Sequence, residues 1–247
     1  MNDFKGCARK MVVNLQSGKD AEATKVWQKL VLVSKRGFDE IYTRLNVSFD
    51  SKLEGTGYCG ESFYQSRIPA VVSELESKGL TKKENGAVVL YTGLPQAKTE
   101  DGEMPLFLSK SEGGFGYDST DMAAAKFRLE QLKCNRVLYV TDAGQEVHFA
   151  MVFDAAAKAG WISPNARLEH VKFGVVKRKD GQKFKTREGE TITLLSLLED
   201  ARLVVGAVED GEVAPLCSLA GLTLDVHSHL NGLVAILQHT HEADFIA

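Results

Sequence analysis

The chain has 247 residues, 44% of them hydrophobic and 26% charged, enough apolar material for a sizeable core and no basis for a disordered or fibrous class. Its net charge of -3 is unevenly placed: residues 1–202 hold all 30 Lys and Arg against 27 acids, a balance of +3, while residues 203–247 hold six acids and neither basic type. No apolar run approaches the roughly 20 residues of a membrane span, the opening MNDFKGCARK lacks a secretory apolar core, and four scattered cysteines without a C-x-x-C pair exclude a disulfide framework. The expectation is a soluble intracellular protein with reduced thiols and a domain boundary near residue 202.

In chain order, residues 4–46 read as two helices. Ala8, Met11, Val12 and Leu15 lie at helical spacing, Ser17–Asp20 breaks the pattern, and a second helix runs from Ala21 to about Leu45 with Val26, Leu30, Val33, Phe38 and Ile41 inward. Two packed helices with solvated Lys/Glu faces account for this stretch. The texture then shortens. Val47–Asp50 reads as a strand and Gly55–Gly60 as a loop, and a helix after Pro69 through Val71, Val72, Glu74 and Leu75 closes at Gly79. Ala87–Tyr91 and Pro105–Leu108 read as strands around a loop at Gln96–Gly102, and this alternation predicts an α/β domain.

The stretch from Gly113 to His148 is the richest in chemistry. Glycines 113, 114 and 116 permit a tight backbone path, and Asp118, Ser119 and Thr120 are N-cap candidates for a helix starting near Asp121. Met122, Ala125, Leu129 and Leu132 form its apolar stripe, with Lys126 and Glu130 paired at i,i+4 on the wet side. Val137–Val140 reads as a strand covered on both faces, ending in the polar Thr141–Gln145, where an open parallel sheet keeps its ligand crevice. A helix from Gln145 to Ala159 follows, with Val147, Met151, Val152 and Ala155 inward and Gly160 at its end. His170–Val176 alternates like a strand, and Asp180-Gly181 signals a hairpin.

Several constellations carry a chemical and a plain reading. Tyr117 and Asp121 stand four apart, so a phenol and a carboxylate converge on one ligand, with planar guanidinium the best match; an Asp that merely complements the helix dipole fits equally. Asp142-x-x-Gln145 resembles a capping box. His148 and His170 are lone histidines, readable as structural residues. Lys183-Phe184-Lys185-Thr186-Arg187 offers cations and a hydroxyl to a polyphosphate, or forms a solvated basic edge. The pairs His227-x-His229 and His239-x-His241 would supply four imidazoles, but no Cys or carboxylate spacing supports zinc, and no metal site is assigned.

Taken jointly, GFGYDSTDMAAAKFRLEQ, VLYVTDAGQEVHFAMVF and HVKFGVVKRKDGQKFKTREGETITLLSLLED look like consecutive pieces of the catalytic domain of arginyl-tRNA synthetase, a class I aminoacyl-tRNA synthetase. FKGCARKMVVNLQSGKD and GESFYQSRIPAVVSELESKGL resemble it further upstream. The resemblance implies an α/β fold with a Rossmann-like parallel-sheet core, incomplete at its N-terminal half, over residues 1–202, with residues 203–247 as a tail unlike the family. It places the arginine pocket on Tyr117, Asp121 and Gln145, and the ATP contacts on His148, His170, Val171, Phe173, Gly174, Lys183 and Thr186. Lys183, Lys185 and Arg187 occupy the place of the KMSKS signature as catalytic contacts to the triphosphate, with Phe184 for Met and Lys185 for the first Ser.

ATP with Mg²⁺, L-arginine and tRNA(Arg) are the implied substrates and partners, the location is cytoplasmic with an organellar copy left open, and no membrane is involved. No HIGH tetrad occurs in the chain, so that signature is expected before residue 3 and a helical anticodon-binding domain after about residue 200. A truncated gene model with translated non-coding sequence at its end would explain both, and the chain alone is then expected to be poorly soluble or inactive. A catalytically inactive arginine- or nucleotide-binding paralogue is the alternative.

Overall fold

Helices α1 (Asn2–Gln16) and α2 (Ala21–Arg44) open the chain in this computed structural model, which describes residues 2–49, 59–111, 113–174, 194–196 and 198–199. Asp20 starts α2 by accepting a hydrogen bond from the Ala23 N–H (2.9 Å), an N-cap inside the segment that sequence marks only as a break. The apolar stripe expected to face inward on α2 does not: Val26, Leu30, Val33 and Phe38 are exposed, and α2 has no buried residue. The period is right, but among the described residues no element covers that face. Val47–Phe49 is irregular rather than the expected strand, because Asn46 turns the chain at φ +54° directly after α2.

The chain divides into two units, residues 1–34, 49–172 and 246–247 in the first and 35–48 and 173–245 in the second. In the second, Arg44 at the end of α2 bridges Glu40 (3.4 Å) and Glu199 (3.2 Å), and Phe38 packs near Tyr42. The expected domain boundary near 202, the basic segment from Lys177 to Arg187 and the tail histidines lie outside the described residues.

The core of the first unit is built from α3 (Glu61–Tyr64), α4 (Ile68–Ser77) and the elements that follow it. Ile68, Val71, Val72 and Leu75 line one face of α4 at helical spacing and are buried; each such side chain contributes about 1.5–3 kcal/mol. Bonds from Leu80 N–H to Leu75 O (3.1 Å) and from Gly79 N–H to Glu76 O (2.9 Å) end α4, as expected at Gly79. Strands β1 (Lys82–Glu84), β2 (Ala87–Leu90) and β5 (Leu106–Ser109) form an antiparallel sheet in the order β1-β2-β5. The expected loop at 96–102 instead contains a small antiparallel hairpin, β3 (Lys98–Thr99) with β4 (Gly102–Glu103).

Asn85 and Gly86 turn the β1–β2 hairpin with φ +47° and +79°, the arrangement of a type I′ turn. A Cβ at Gly86 would also stand 3.3 Å from Ser111 Cβ. Gly86→Ala is therefore expected to cost about 1 kcal/mol, read as a lowered thermal unfolding midpoint. Unchanged stability would rule the tight turn out.

Helix α5 (Tyr117–Lys126) is central: Met122, Ala123, Ala124 and Ala125 are buried between α4 and α6 (Glu146–Lys158). Its run of alanines lets the neighbouring backbones approach closely. It starts four residues before the expected Asp121, because Gly116 is the N-cap and the Ser119 hydroxyl accepts the Gly116 N–H (3.3 Å). Beyond Lys126 the helix widens into a π-helical turn over Phe127–Gln131.

Strand β6 (Arg136–Asp142), α6 and β7 (Arg167–Phe173) form a strand–helix–strand unit. The Arg167 N–H donates to Asn135 O (2.9 Å) where both strands begin, and Thr141 meets His170 (2.7 Å) toward their far ends, so the two run parallel. This is the Rossmann-like part of the α/β fold. Val137 and Tyr139 are buried against Phe149, but Val140 is exposed, so β6 is covered on one face rather than on both as expected. Its alternating burial follows the period of a strand.

Candidate active site

The N-terminal turns of α5 and α6 meet at His148. Its Nε2 lies 2.6 Å from Asp121 Oδ2 and its Nδ1 lies 3.3 Å from Asp118 Oδ1, so one imidazole bridges two carboxylates one turn apart on α5. Tyr117, the first residue of α5, sets its exposed ring edge-on to His148 at 5.0 Å. The site faces outward through Tyr117 and is closed below by Phe149, whose ring lies 5.1 Å from that of His148.

The helix start explains how these groups are held. The glycine loop before α5 is gripped by α1: Gln16 Oε1 accepts the Phe115 N–H (3.1 Å) and Gln16 Nε2 donates to Phe115 O (3.2 Å). Gly114 passes so close that a Cβ there would stand 3.4 Å from Val13 Cγ2. On the other side, Asp118 Oδ2 accepts the Phe107 N–H (2.7 Å) and the Ser119 hydroxyl donates to Phe107 O (3.4 Å). The first turn of α5 therefore seals β5 and cannot rotate without breaking both bonds. A residue one turn on, Asp121, inherits that fixed orientation.

Charge follows from these contacts. Burial, the largest single influence on His148, pushes its pKa down, but the hydrogen bonds and charges of Asp118 and Asp121 outweigh it and raise the value to about 9. The imidazole is thus a cation at neutral pH. The Asp118 carboxylate, then burial, then Asp121 push the Tyr117 phenol up, so it stays protonated and able to donate.

Because His148 titrates higher in the folded chain than its ordinary 6.5, its contribution is fully present below pH 6.5 and is lost as pH rises through about 9. Stability is expected to fall across that window by about 2 kcal/mol, since roughly 1.4 kcal/mol attends each unit and water reaches one edge of the ring. His148→Gln should flatten the window in a denaturant series. A parent chain with no loss between pH 6.5 and 9 would contradict the charged imidazole.

The sequence-derived residues are only partly gathered. Tyr117, Asp121 and His148 come together, with Asp118, which sequence reads merely as a cap. Gln145 lies at the entry to α6 but is exposed, and its amide donates to Asp142 Oδ2 (3.0 Å), while Asp142 Oδ1 accepts the Gly144 N–H (2.9 Å). Asp142 caps this turn, but Gln145 reaches its side chain rather than its backbone, so the capping-box reading holds only in part. His170 reaches the site indirectly: its ring lies 5.0 Å from that of Phe149 and its Nε2 contacts the Thr141 hydroxyl. Val171, Phe173 and Gly174 follow along and beyond β7, with Phe173 and Gly174 exposed. Lys172 pairs with Glu146 at the start of α6.

Lys183, Lys185, Thr186 and Arg187 lie outside the described residues. Sequence also passes over Arg128, whose guanidinium sits over the Tyr139 ring at 5.1 Å and reaches the Tyr64 hydroxyl at 3.5 Å. Its position seven residues after Asp121 on one helix face was the available signal.

Chemically, the cluster suits a cation. Asp121 gives one oxygen to His148, its Oδ1 has no hydrogen-bond partner among the described residues, and the Tyr117 ring supplies a flat electron-rich surface beside it. No helix among the described residues is long and apolar enough to cross a membrane, and no group of three or more His, Cys, Asp or Glu there is arranged to hold a metal ion.

The family described as tRNA synthetases class I (R), catalytic domain, matches residues 2–208. An arginine-tRNA ligase of Synechococcus sp. is 43% identical over 199 residues, which is 80% of this chain and 32% of that protein. That of Cutibacterium acnes is 41% identical over 198 residues, 80% of this chain and 34% of its own. The crystal structure of arginyl-tRNA synthetase from Plasmodium falciparum aligns with a TM-score of 0.60 at 33% identity, covering 85% of this chain and 33% of that one. The chain spans about a third of the length of the curated relatives it matches.

Proposed function

The chain belongs to the class I tRNA synthetase (R) catalytic-domain family, and we propose that it supplies the arginine pocket and part of the ATP site of an arginine-tRNA ligase. The observation that carries this reading is Asp121: a carboxylate anchored through one oxygen, open through the other, beside the exposed Tyr117 ring. A guanidinium is planar and donates in the plane of a carboxylate while its face lies on an aromatic ring, and a lysine ammonium offers no such flat fit. Gln145, at the mouth of α6, is the third member of the pocket.

In the proposed reaction the arginine carboxylate attacks the α-phosphorus of ATP and pyrophosphate leaves. A hydroxyl of the terminal ribose of tRNA(Arg) then attacks the carbonyl of the resulting mixed anhydride, and AMP leaves. The protein's work is placement and charge stabilisation rather than covalent catalysis. His148, His170, Val171, Phe173 and Gly174 are proposed to border ATP along the start of α6 and the end of β7, with Lys183, Lys185, Thr186 and Arg187 on the triphosphate. Mg²⁺ would accompany the triphosphate as a counter-charge, and no residue of this chain is assigned to it. The proposed setting is the cytoplasm, and the proposed extent of the catalytic part is residues 1–202.

The test is thermal unfolding of the chain with L-arginine or L-lysine at matched ionic strength. A raised midpoint with L-arginine alone is expected. No stabilisation, or an equal one by L-lysine, would overturn the reading. Arginine-dependent exchange of pyrophosphate into ATP in the presence of tRNA(Arg) would then separate an activating enzyme from a binding protein.

A further inference from the structure

We propose that Asp118 is a positioning residue that fixes and neutralises the His148 imidazolium, so that Asp121 keeps one free oxygen and one uncancelled negative charge for the ligand's guanidinium. The inference rests on the arginine reading of Asp121. It goes beyond that reading by giving a task to a residue that makes no ligand contact.

The geometry sets up a division of labour. Asp118 is almost fully buried and uses both oxygens inside the protein, Oδ2 for the Phe107 N–H at 2.7 Å and Oδ1 for His148 Nδ1 at 3.3 Å. It is therefore not available to a ligand. Asp121 is less buried and gives only Oδ2 to His148. With each imidazole nitrogen beside a carboxylate oxygen, His148 holds its proton at neutral pH, and the three groups together hold one net negative charge.

Without the Asp118 charge, a protonated His148 would cancel Asp121 and leave a neutral trio facing a cationic ligand. The surroundings of His148 add few competing charges. α5 contributes Tyr117, Asp118 and Asp121, while the β5 strand and the turn at Pro95–Ala97 that pack on α6 have no titratable side chain. The turn at Ala143–Gln145 has none either, and its cap Asp142 is engaged by Gln145. On α6 itself, Glu146 is paired with Lys172, and in the π-helical turn beyond α5 the Arg128 cation adds its field at Asp121.

Asp118→Asn separates this role from a merely structural one. The amide oxygen can still accept the Phe107 N–H, while the amide N–H₂ can donate to Nδ1, which favours a neutral imidazole with Nε2–H toward Asp121. The His148 ring-proton titration, followed by NMR on the 247-residue chain, is expected to move down by about 1–2 pH units. L-Arginine affinity, measured by calorimetry, is expected to fall roughly tenfold at pH 6, where the trio becomes neutral. By pH 8 it should return to within about twofold of the parent, because His148 has then lost its proton. Taking the ratio of variant to parent at each pH cancels the titration of the ligand's own amine.

Ser119→Ala is the control, because it loosens the same join to Phe107 without touching His148, and its titration should match the parent. An unmoved His148 titration in Asp118→Asn, or an equal loss of affinity at both pH values, would overturn the proposal. If neither chain binds L-arginine, what falls is the assignment of Asp121 to the guanidinium. The His148 titration still decides whether Asp118 sets the charge of the imidazole.

Discussion

Replacing Asp121 by alanine is expected to weaken L-arginine binding by about 1.5–3 kcal/mol, roughly ten- to a hundredfold. The size follows from what the side chain does. Its Oδ2 sits 2.6 Å from His148 Nε2, so the substitution removes the open oxygen and also leaves a buried cation with Asp118 as its single carboxylate partner. The pair that remains is neutral on balance, where the proposed guanidinium site needs a negative charge. Asp121→Asn preserves the shape and lacks the charge, so it should lose nearly as much affinity as alanine while disturbing the fold less. A calorimetric titration of the three proteins with L-arginine decides the matter. Equal affinity in all three would remove Asp121 from the pocket.

The elements that sequence placed well are those whose partners are close in the chain or whose caps are glycines. α2 was expected from Ala21 to about Leu45 and runs to Arg44, and α4 ends where Gly79 was expected to end it. The class of fold was legible too, since the β6–α6–β7 unit has the strand and helix periods in the right order. The start of α5 was not, because Asp118, Ser119 and Thr120 all have the chemistry of an N-cap. Only the tertiary structure shows that Asp118 is engaged by Phe107 and His148 while Ser119 reaches back to Gly116.

Other gaps have equally local causes. Strand β1 is Lys82-Lys83-Glu84, with no apolar alternation to betray it, although the Asn85-Gly86 turn beside it was a usable signal. The contact of His148 with Asp121 spans 27 positions and depends on two helices crossing, which no periodicity encodes. Two members of the proposed pocket, Tyr117 and Asp121, were legible at helical spacing. The part of Asp118, which joins Phe107 and His148, was not, because a carboxylate there reads as an N-cap candidate.

Glu74 should be the costliest single charge to remove from the first unit. From α4 it accepts hydrogen bonds from Lys126 (2.7 Å) on α5, Lys78 (2.7 Å) and the buried Trp161 indole (2.9 Å) beyond α6, so one carboxylate ties three segments together. Glu74→Ala is expected to cost about 3 kcal/mol, because the indole N–H and a mostly covered ammonium lose an acceptor. Lys126 keeps Glu130 at 2.6 Å, which limits the loss.

The charge has its own signature. Burial is the largest influence and pushes the Glu74 pKa up, but the three hydrogen bonds and the Lys126 charge outweigh it and bring the value to about 2, below the usual 4.5. A depressed carboxylate contributes stability that is present above pH 4.5 and lost as pH falls toward 2. Glu146 and Glu169 are also lowered by their cation partners, so the parent's acid slope is shared. The decisive quantity is therefore the stability difference between the parent and Glu74→Gln, which keeps an acceptor for Trp161 and drops the charge. That difference should shrink between pH 4.5 and 2.5 in denaturant unfolding. A gap that stays constant across the window would mean that Glu74 acts through packing and hydrogen-bond shape, with its charge contributing nothing.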